Sequence, residues 1–341
     1  MKLLTKIMAL VLVAAALFTL VACNTPDNDD RMKVGVLSGA TGMGAVKLAK
    51  DNSSADDDYA VTFYGTDEVG KVFDDVVDGK LDVAALPINA AAQLYKNSNG
   101  KVEVIAINAL GVLSVVGKNN LSSVSELAGK TIYAPASGTP RFILKHILAQ
   151  NGLTAVESEE GELGDNGVRV LFEVDGAAVK AKYDTQNASG NACFALLPEP
   201  AATAALVSDN TNKLVFDVNA EWNKVCDTKL VQGVVVANKN FAKTHKDDIE
   251  DFLEDYKESV DFVNASENAD AAAQLIVDYN LAPKAPIAKK AIPKANIVCQ
   301  IGAEMKTDVS AMIDVLYQIA PNSIGGQKPD DGFYGIYSID D

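Results

Sequence analysis

The sequence has few of the residues that metal centres and nucleophilic active sites usually need. It contains only two histidines, His146 and His245, among 341 residues. Neither has a second histidine or a cysteine at the spacing of a metal site, and both lie in helix-type sequence beside lysines. We therefore expect surface histidines, no metal site and no catalytic triad.

Cysteine is also scarce. Beyond the N-terminal region the chain has Cys193, Cys226 and Cys299. Their spacing matches no zinc pattern, and an odd number allows at most one disulfide. We interpret them as small, mostly buried apolar side chains.

Positive charge is in short supply as well. The chain has 30 lysines and arginines against 46 aspartates and glutamates, which gives a formal net charge of −16. Phosphate groups are neutralised by clustered lysine and arginine, so this balance disfavours nucleic acid and anionic membrane surfaces as partners. The acidic excess is typical of a soluble surface.

The nucleotide fingerprints are missing too. A glycine-rich stretch occurs at residues 33–47, but no Lys-Ser/Thr pair follows its glycines at the spacing of a phosphate-binding loop. The dinucleotide pattern also fails, because Lys47 stands where the third glycine belongs. We expect no nucleotide or other cofactor.

An apolar run is present at residues 7–20, but it is shorter than a typical membrane-spanning helix. Lys2 and Lys6 precede it and small residues lead from it to Cys23, an order that resembles the lipobox of bacterial lipoproteins. We predict a signal peptide over residues 1–22, lipidation of Cys23, and a flexible tether over residues 23–32 that anchors an extracytoplasmic body to the cell membrane. An ordinary cleaved signal peptide with an incidental cysteine is the alternative.

From residue 33 onward, short β-rich runs alternate with amphipathic helical stretches. This alternation predicts an α/β fold whose mixed, mostly parallel sheets are flanked by helices. Because the chain is longer than one core usually supports, we predict two lobes with a ligand cleft between them. The predicted first lobe comprises residues 33–115 and 231–341, the second comprises residues 116–230, and the crossings lie near residues 113–118 and 229–236. The remainder is predicted mostly helical, including residues 287–301, with a break at Pro293.

Two glycine turns, each after a strand and before a helix, are the best candidates for a binding site. The first glycine turn comprises residues 38–44, and the second comprises residues 137–141. In the second turn Thr139 is suited to cap the following helix, and Pro140 is suited to its first position. If they face each other across a cleft, they can hold an anionic or carbonyl-bearing small molecule. Two tight connections that bind nothing are the alternative.

One acid stands apart from the others. Glu199 directly follows an apolar strand and lies between Pro198 and Pro200, which restrict the backbone. Its carboxylate is expected at the carboxyl end of that strand, near the cleft, where it can accept hydrogen bonds from an amino group or a ring N–H. A carboxylate that caps its own helix is the alternative.

These features, taken in order, resemble the extracytoplasmic solute-binding proteins of ABC importers, specifically the NMT1/SsuA/ThiY-like group. The resemblance is carried by residues 20–23, the first glycine turn, residues 79–84 before Pro87, and residues 125–132, 137–139 and 198–200. The aromatic residue that many members carry before the acid–proline pair is replaced here by Leu197-Pro198. This departure counts against a sulfonate or taurine ligand.

The resemblance implies the two-lobe fold of a type II periplasmic binding protein, with a small ligand held between the lobes. Together with the two turns it indicates thirteen candidate ligand-binding residues. They are Ser38, Gly39, Ala40, Thr41, Gly42, Met43, Pro87, Asn89, Ser137, Gly138, Thr139, Arg141 and Glu199.

The resemblance also implies a function without covalent chemistry. A monomeric, lipid-anchored receptor would capture a sulfonate-, nitrate- or thiamine-pyrimidine-like nutrient by hinge closure and deliver it to the membrane subunits of an ABC permease. Two alternatives stay open. The first is an enzyme on the same fold, of the kind that makes menaquinone or thiamine precursors, and the second is a lipoprotein that presents a surface to another protein.

Overall fold

The computed structural model describes residues 30–339. The predicted signal peptide, Cys23 and most of the predicted tether lie outside the described residues. From Met32 onward the chain forms one compact unit. In this part of the chain no helix combines the length and apolar character needed to cross a membrane.

Strands and helices alternate through most of the described chain, as predicted. The strands are β1 (Met32–Leu37), β2 (Tyr59–Tyr64), β3 (Val83–Pro87), β4 (Val102–Ala109), β5 (Leu113–Gly117), β6 (Thr131–Pro135), β7 (Thr154–Val156), β8 (Gly167–Glu173), β9 (Phe194–Pro198), β10 (Lys213–Asp217), β11 (Gly233–Asn238) and β12 (Ile297–Gln300). The helices are α1 (Ala40–Met43), α2 (Val46–Asp51), α3 (Val69–Val77), α4 (Ile88–Asn97), α5 (Pro140–Gln150), α6 (Gly176–Ala188), α7 (Ala201–Ser208), α8 (Val218–Trp222), α9 (Lys239–Thr244), α10 (Lys246–Asn264), α11 (Ala269–Asp278), α12 (Ala285–Ala291) and α13 (Gly302–Ile319).

The strands form two six-stranded sheets. The first sheet has the order β12-β4-β11-β3-β1-β2, and the second has the order β10-β5-β9-β6-β8-β7. In the first sheet β11 lies at the centre, and its apolar sequence GVVVAN is buried at every position. β2 lies at the edge, and its burial is correspondingly incomplete. Strand hydrophobicity thus follows position in the sheet.

The α/β fold is confirmed, but the sheets are more mixed than we predicted. β1 is parallel to β2 and β3, whereas β11 runs antiparallel to both β3 and β4. In the second sheet β6, β7, β8 and β9 pair in parallel, and β5 runs antiparallel to β9. The antiparallel strands β5 and β11 are the first strands after the chain passes from one sheet to the other, so each enters its sheet in the reversed direction.

Two predictions of local structure were wrong. Leu113–Gly117, which we expected to be the first crossing, is strand β5 of the second sheet, so the chain changes sheets within residues 110–112. Residues 287–301 break at Pro293 as predicted, but the segment after the break is a strand and not a helix. Helix α12 ends at Ala291, and after the turn Ile292–Lys294, which contains Pro293, the segment Ile297–Gln300 pairs with β4. The helix ends before this proline, which cannot continue the helical hydrogen bonds. The β-branched residues that follow pair with the free edge of the first sheet.

The long C-terminal helices pack on the first sheet, as expected. α10 and α11 contribute Phe252, Tyr256 and Ile276 to a core that also contains Val36 of β1 and Val235 of β11. α12 additionally contacts α7, which follows the second sheet's strand β9. The C-terminal region therefore touches structural elements of both sheets next to the carboxyl ends of their parallel strands.

Candidate functional site

The carboxyl ends of strands from both sheets meet around a small cavity of about 150 Å³. The last residues of β3 and β9 and the segments that follow β1, β2, β6 and β8 all contribute to its lining. Ligand sites in open α/β sheets form at this end of the strands, where backbone groups and helix starts are free to bind. The lining residues are Leu37, Ser38, Gly39, Ala40, Thr41, Thr66, Val69, Pro87, Ala109, Val112, Pro135, Ser137, Gly138, Thr139, Pro140, Asp175, Gly176, Pro198 and Gln232.

A larger cavity of about 630 Å³ adjoins it. The two share six lining residues, so they form one continuous cleft, which we call the inter-sheet cleft. The larger cavity adds residues from α6, from α7 and from the loop between α11 and α12. Its lining residues are Ser38, Gly39, Gly65, Thr66, Asp67, Asp175, Gly176, Ala177, Lys180, Pro198, Glu199, Pro200, Ala201, Ala204, Val277, Asn280, Leu281, Ala282 and Pro283.

The hydroxyl groups of the first glycine turn bond to backbone carbonyls at the ends of β1 and β2. Ser38 Oγ donates to the Tyr64 carbonyl at 2.7 Å, and Thr41 Oγ1 donates to the Leu37 carbonyl at 2.9 Å. Gly39 has a φ of 100°, a conformation that side chains rarely adopt. Asn108, which is fully buried, donates from Nδ2 to the Thr41 carbonyl at 3.1 Å. The turn is therefore fixed from behind by the core of the first sheet.

The second glycine turn lies close to the first sheet. Gly138 has a φ of 71°, and a Cβ built on it would lie 4.0 Å from Pro87 at the end of β3. Ser137 Oγ donates to the Val174 carbonyl at 3.2 Å, and Pro140 occupies the first position of α5 as predicted. The turn therefore lies next to the end of β3 across the inter-sheet cleft.

Nine of the thirteen candidate residues line the inter-sheet cleft. Eight line the small cavity, and Glu199 lines the larger one. The other four do not line it. Gly42, Met43 and Asn89 are buried within α1 and α4 behind the turns, because those helices turn these positions toward the core.

Arg141 is the fourth and lies on the outer side of α5. It borders a separate groove of about 740 Å³, together with Phe142, Lys145 and His146. Its Nη2 lies 3.5 Å from Glu157 Oε2, and its guanidinium lies over the rings of Phe142 and Phe172. Two residues along a helix rotate a side chain by roughly 200°, so Arg141 lies on the face opposite Thr139 and pairs with a surface acid.

Glu199 is almost completely buried, with 1% of its surface exposed. Its Oε2 accepts from the Thr203 backbone N–H at 3.1 Å, so it does cap its own helix, α7. Its Oε1 has no hydrogen-bond partner among the described residues. Burial raises the pKa of Glu199, against the opposing effects of the bonds from Thr203 and the positive charge of Lys294.

Thr66 and Asp175 line both cavities and were missed in the sequence. Thr66 Oγ1 lies 3.4 Å from Asp175 Oδ2, which joins the segment after β2 in the first sheet to the segment after β8 in the second. Asp175 Oδ1 also accepts from the Ala178 N–H at 2.8 Å and caps α6. Extending the rule applied to the two glycine turns to every strand end would have found both residues.

Gln232 was also missed, and no sequence signal marks it. Its Oε1 accepts from the Val112 N–H at 2.7 Å, and its Nε2 donates to Thr139 Oγ1 at 3.2 Å. Val112 and Gln232 lie on the two segments where the chain passes between the sheets, and Thr139 belongs to the second glycine turn. One amide side chain thus joins both crossings to the site.

The groups suited to metal or redox chemistry lie elsewhere. Cys193, Cys226 and Cys299 are free thiols, and burial raises the pKa of each. His146, which we expected at the surface, is partly buried, and its Nε2 lies 3.3 Å from Cys226 Sγ. Within residues 30–339 no group of three or more histidine, cysteine, aspartate or glutamate side chains is placed to hold a metal ion.

The comparisons with known proteins agree on the fold. Residues 100–269 match the family model described as NMT1/THI5 like. The chain is similar to an ABC transporter protein from Parabacteroides distasonis, with 20% identity, a TM-score of 0.71, and coverage of 91% of this chain and 100% of that one. It is also similar to the periplasmic aliphatic sulphonate binding protein SsuA from Escherichia coli, with 14% identity, a TM-score of 0.68, and coverage of 92% and 94%.

A third similar structure is a Candida albicans protein described as exhibiting the generic periplasmic binding protein structural fold, with 13% identity, a TM-score of 0.52, and coverage of 89% and 93%. A search of curated protein sequences finds no significant match. The predicted resemblance to NMT1- and SsuA-like proteins is confirmed, and the fold is that of the periplasmic binding proteins.

Proposed function

We propose that this protein is the solute-binding receptor of an ABC importer. It captures a small organic nutrient of the sulfonate, nitrate or thiamine-pyrimidine type in the inter-sheet cleft and delivers it to the permease. The observation that carries the proposal is the convergence of six strand-end segments from two sheets on one continuous cavity. Similarity in fold to SsuA and to an ABC transporter protein supports it.

The ligand contacts would come from the turns at the strand ends. Ser38–Thr41, Pro87 and the second glycine turn surround the small cavity, and Glu199 supplies an acceptor in the larger one. The two predicted lobes, with their first boundary moved to the crossing at residues 110–112, would close about the two crossings. The Thr66–Asp175 contact and the Gln232 bonds are positioned to respond to that motion.

The predicted anchor fits this role. A lipid on Cys23 and the tether of residues 23–32 would keep a monomeric receptor beside its permease on the outer face of the cell membrane. Labelling cells with a clickable fatty acid tests it, because Cys23→Ser should abolish incorporation into this protein and release it from the membrane fraction.

The decisive experiment is to identify what the protein holds. The mature protein is purified from its host without denaturation, then denatured, and the released small molecules are identified by mass spectrometry. The recovered molecule should raise the melting temperature of the emptied protein in a saturable, near-stoichiometric way. Conversion of that molecule during incubation would instead support an enzyme on this fold, and the absence of any bound or stabilising small molecule would contradict the receptor.

A further inference from the structure

We propose that the protein has a second binding site, outside the inter-sheet cleft, for a small organic carboxylate with an apolar body. The site is the groove of about 740 Å³ beside helix α5, which we call the α5 groove. None of its lining residues lines the inter-sheet cleft, so this site goes beyond the proposed function. The lining residues are Gln93, Arg141, Phe142, Lys145, His146, Ala149, Ile319, Ala320, Pro321, Asn322 and Ser323.

The two walls of the α5 groove come from different halves of the molecule. One wall is a single face of α5, which follows β6 of the second sheet. The other wall is the end of α13 with the turn Pro321–Ile324, and it is tied to α4 of the first half because Gln93 Nε2 donates to the Ser323 carbonyl at 2.6 Å. The groove volume falls in the range of small-molecule sites, about 300–1,000 Å³.

The charge of the lining is opposite to that of the protein as a whole. Arg141 and Lys145 line the α5 groove, and no aspartate or glutamate of the described chain does, although the protein has a net charge of −16. The inter-sheet cleft, by comparison, is lined by three carboxylates and one lysine. A positive lining attracts an anion.

Arg141 is positioned by aromatic rings and keeps donors for a ligand. Its guanidinium carbon lies 5.2 Å from the ring centroid of Phe142 and 4.9 Å from that of Phe172. Its Nε is buried and has no hydrogen-bond partner within residues 30–339. An unpaired buried donor is unfavourable, and the planar guanidinium matches the two oxygens of a carboxylate. A bound carboxylate therefore removes the cost of the unpaired donor.

The facing wall also offers a donor, while its backbone acceptors are already occupied. The carbonyls of residues 320–323 accept from the N–H groups of Ser323, Gly325 and Gly326 and from the Gln93 side chain. The Ser323 hydroxyl, in contrast, has no partner in the described part of the chain, although Ser323 is only 5% exposed. Donors on both walls favour an acceptor ligand, as an anion is.

Glu157 shows which anion these cations fit. Its Oε1 accepts from Lys145 Nζ at 2.6 Å, and its Oε2 lies 3.5 Å from Arg141 Nη2, so one carboxylate spans both cations. Glu157 follows β7 and does not itself line the α5 groove. A ligand carboxylate would approach the same cations from the groove side. Ile319 and Pro321 provide an apolar surface for the rest of the ligand.

The test uses probes that share a body and differ in the head group. They are 3-phenylpropionate with 3-phenylpropionamide and 3-phenylpropylamine, and hexanoate with hexanamide. In NMR titrations of the purified protein near pH 7, at least one carboxylate should bind about tenfold or more tightly than its amide, the size expected for hydrogen bonds to charged groups. Equal affinities, tightest binding of the amine, or no binding of either carboxylate would overturn the inference.

Two variants separate the α5 groove from the inter-sheet cleft. Arg141→Gln should lower the affinity of the carboxylate to that of the amide. Lys180→Gln is the matched control, because Lys180 is the cation that lines the inter-sheet cleft, and it should leave the affinity unchanged. Loss of affinity in Lys180→Gln without loss in Arg141→Gln would place the carboxylate in the cleft and refute a second site.

Glu157→Gln should instead strengthen binding. It frees Arg141 and Lys145 from their internal carboxylate, so the probe should bind roughly two- to fivefold more tightly. Glu159→Gln removes the same charge from the same loop and should change the affinity less. Equal gains in the two variants would show that net charge attracts the probe, and weaker binding in Glu157→Gln would contradict the competition for these cations.

Ser323→Ala tests the facing wall. It removes a hydroxyl that has no partner in the described chain, so the melting temperature without probe should stay the same or rise. The affinity of the carboxylate should fall by about threefold or more, whereas that of the amine should not change. An unchanged affinity of the carboxylate would refute a site that uses both walls.

Discussion

The two glycine turns look alike in the sequence but are supported in opposite ways. The first turn is held by contacts with the first sheet and its helices. Asn108 donates to the Thr41 carbonyl, and Tyr256 of α10 packs against Gly44. The second has one side-chain hydrogen bond from the first sheet's side, from Gln232 to Thr139. The comparison indicates a fixed half and a movable half of one site, and the predictions below are arranged to test it.

The largest effect is expected at Gly44. A Cβ there would lie 2.9 Å from the Tyr256 hydroxyl and 3.0 Å from Ile297 Cγ2, so Gly44→Ala should lower the free energy of unfolding by roughly 1–3 kcal/mol. Urea denaturation measures this change. Gly70 of α3 is the control, because a Cβ there meets nothing within 4 Å and alanine favours the helix. Equal effects at the two glycines would contradict a tightly packed first turn.

A smaller loss of stability, together with a functional change, is expected at Gln232. Gln232→Leu leaves the buried Val112 N–H without its acceptor, which should cost about 1–2 kcal/mol in urea denaturation. It also removes the bond to Thr139, so the affinity for the recovered ligand should change. Gln93→Leu is the matched control, because Gln93 bonds to the Ser323 carbonyl beside the separate groove that Arg141 borders, away from the inter-sheet cleft. Unchanged affinity in Gln232→Leu would show that this bond does not couple the crossings to the site.

The effect of Glu199→Gln on stability should depend on pH. Burial raises the pKa of Glu199 above the ordinary glutamate value of 4.5. Protonation of Glu199 therefore stabilises the fold fully below pH 4.5, and this stabilisation is lost as the pH rises through the folded-state pKa. The melting temperature of Glu199→Gln should therefore exceed that of wild type near pH 8, and the gap should close toward pH 4. A melting-temperature difference that does not change with pH, or a lower melting temperature in Glu199→Gln than in wild type near pH 8, would refute the burial of an ionised carboxylate.

The smallest effect is expected where the two sheets touch across the cleft. Thr66→Val removes a long contact to Asp175, so stability should fall by about 0.5 kcal/mol or less. Ligand dissociation should nevertheless become faster in stopped-flow measurements, because the contact joins the two sides of the inter-sheet cleft. Thr62→Val, on the exposed face of the preceding strand β2, should alter neither quantity. If both variants dissociate alike, the contact has no role in closure.

The sequence determined the fold class and the position of most of the site. Apolar runs interrupted by helical stretches specify strands and helices locally, and the turn residues Gly39, Gly138 and Pro140 specify where each helix begins. Those signals depend on neighbours along the chain. They were enough to place nine of the thirteen candidate residues beside one cleft.

Tertiary structure alone decided the rest. Strand direction in β5 and β11 depends on how the chain crosses between sheets, and β12 forms because β4 offers a free edge. Arg141 faces away from the cleft because of the orientation of α5, and Gln232 acquires its role from two crossings far apart in sequence. Such features arise from contacts between distant segments, so no local pattern of residues encodes them.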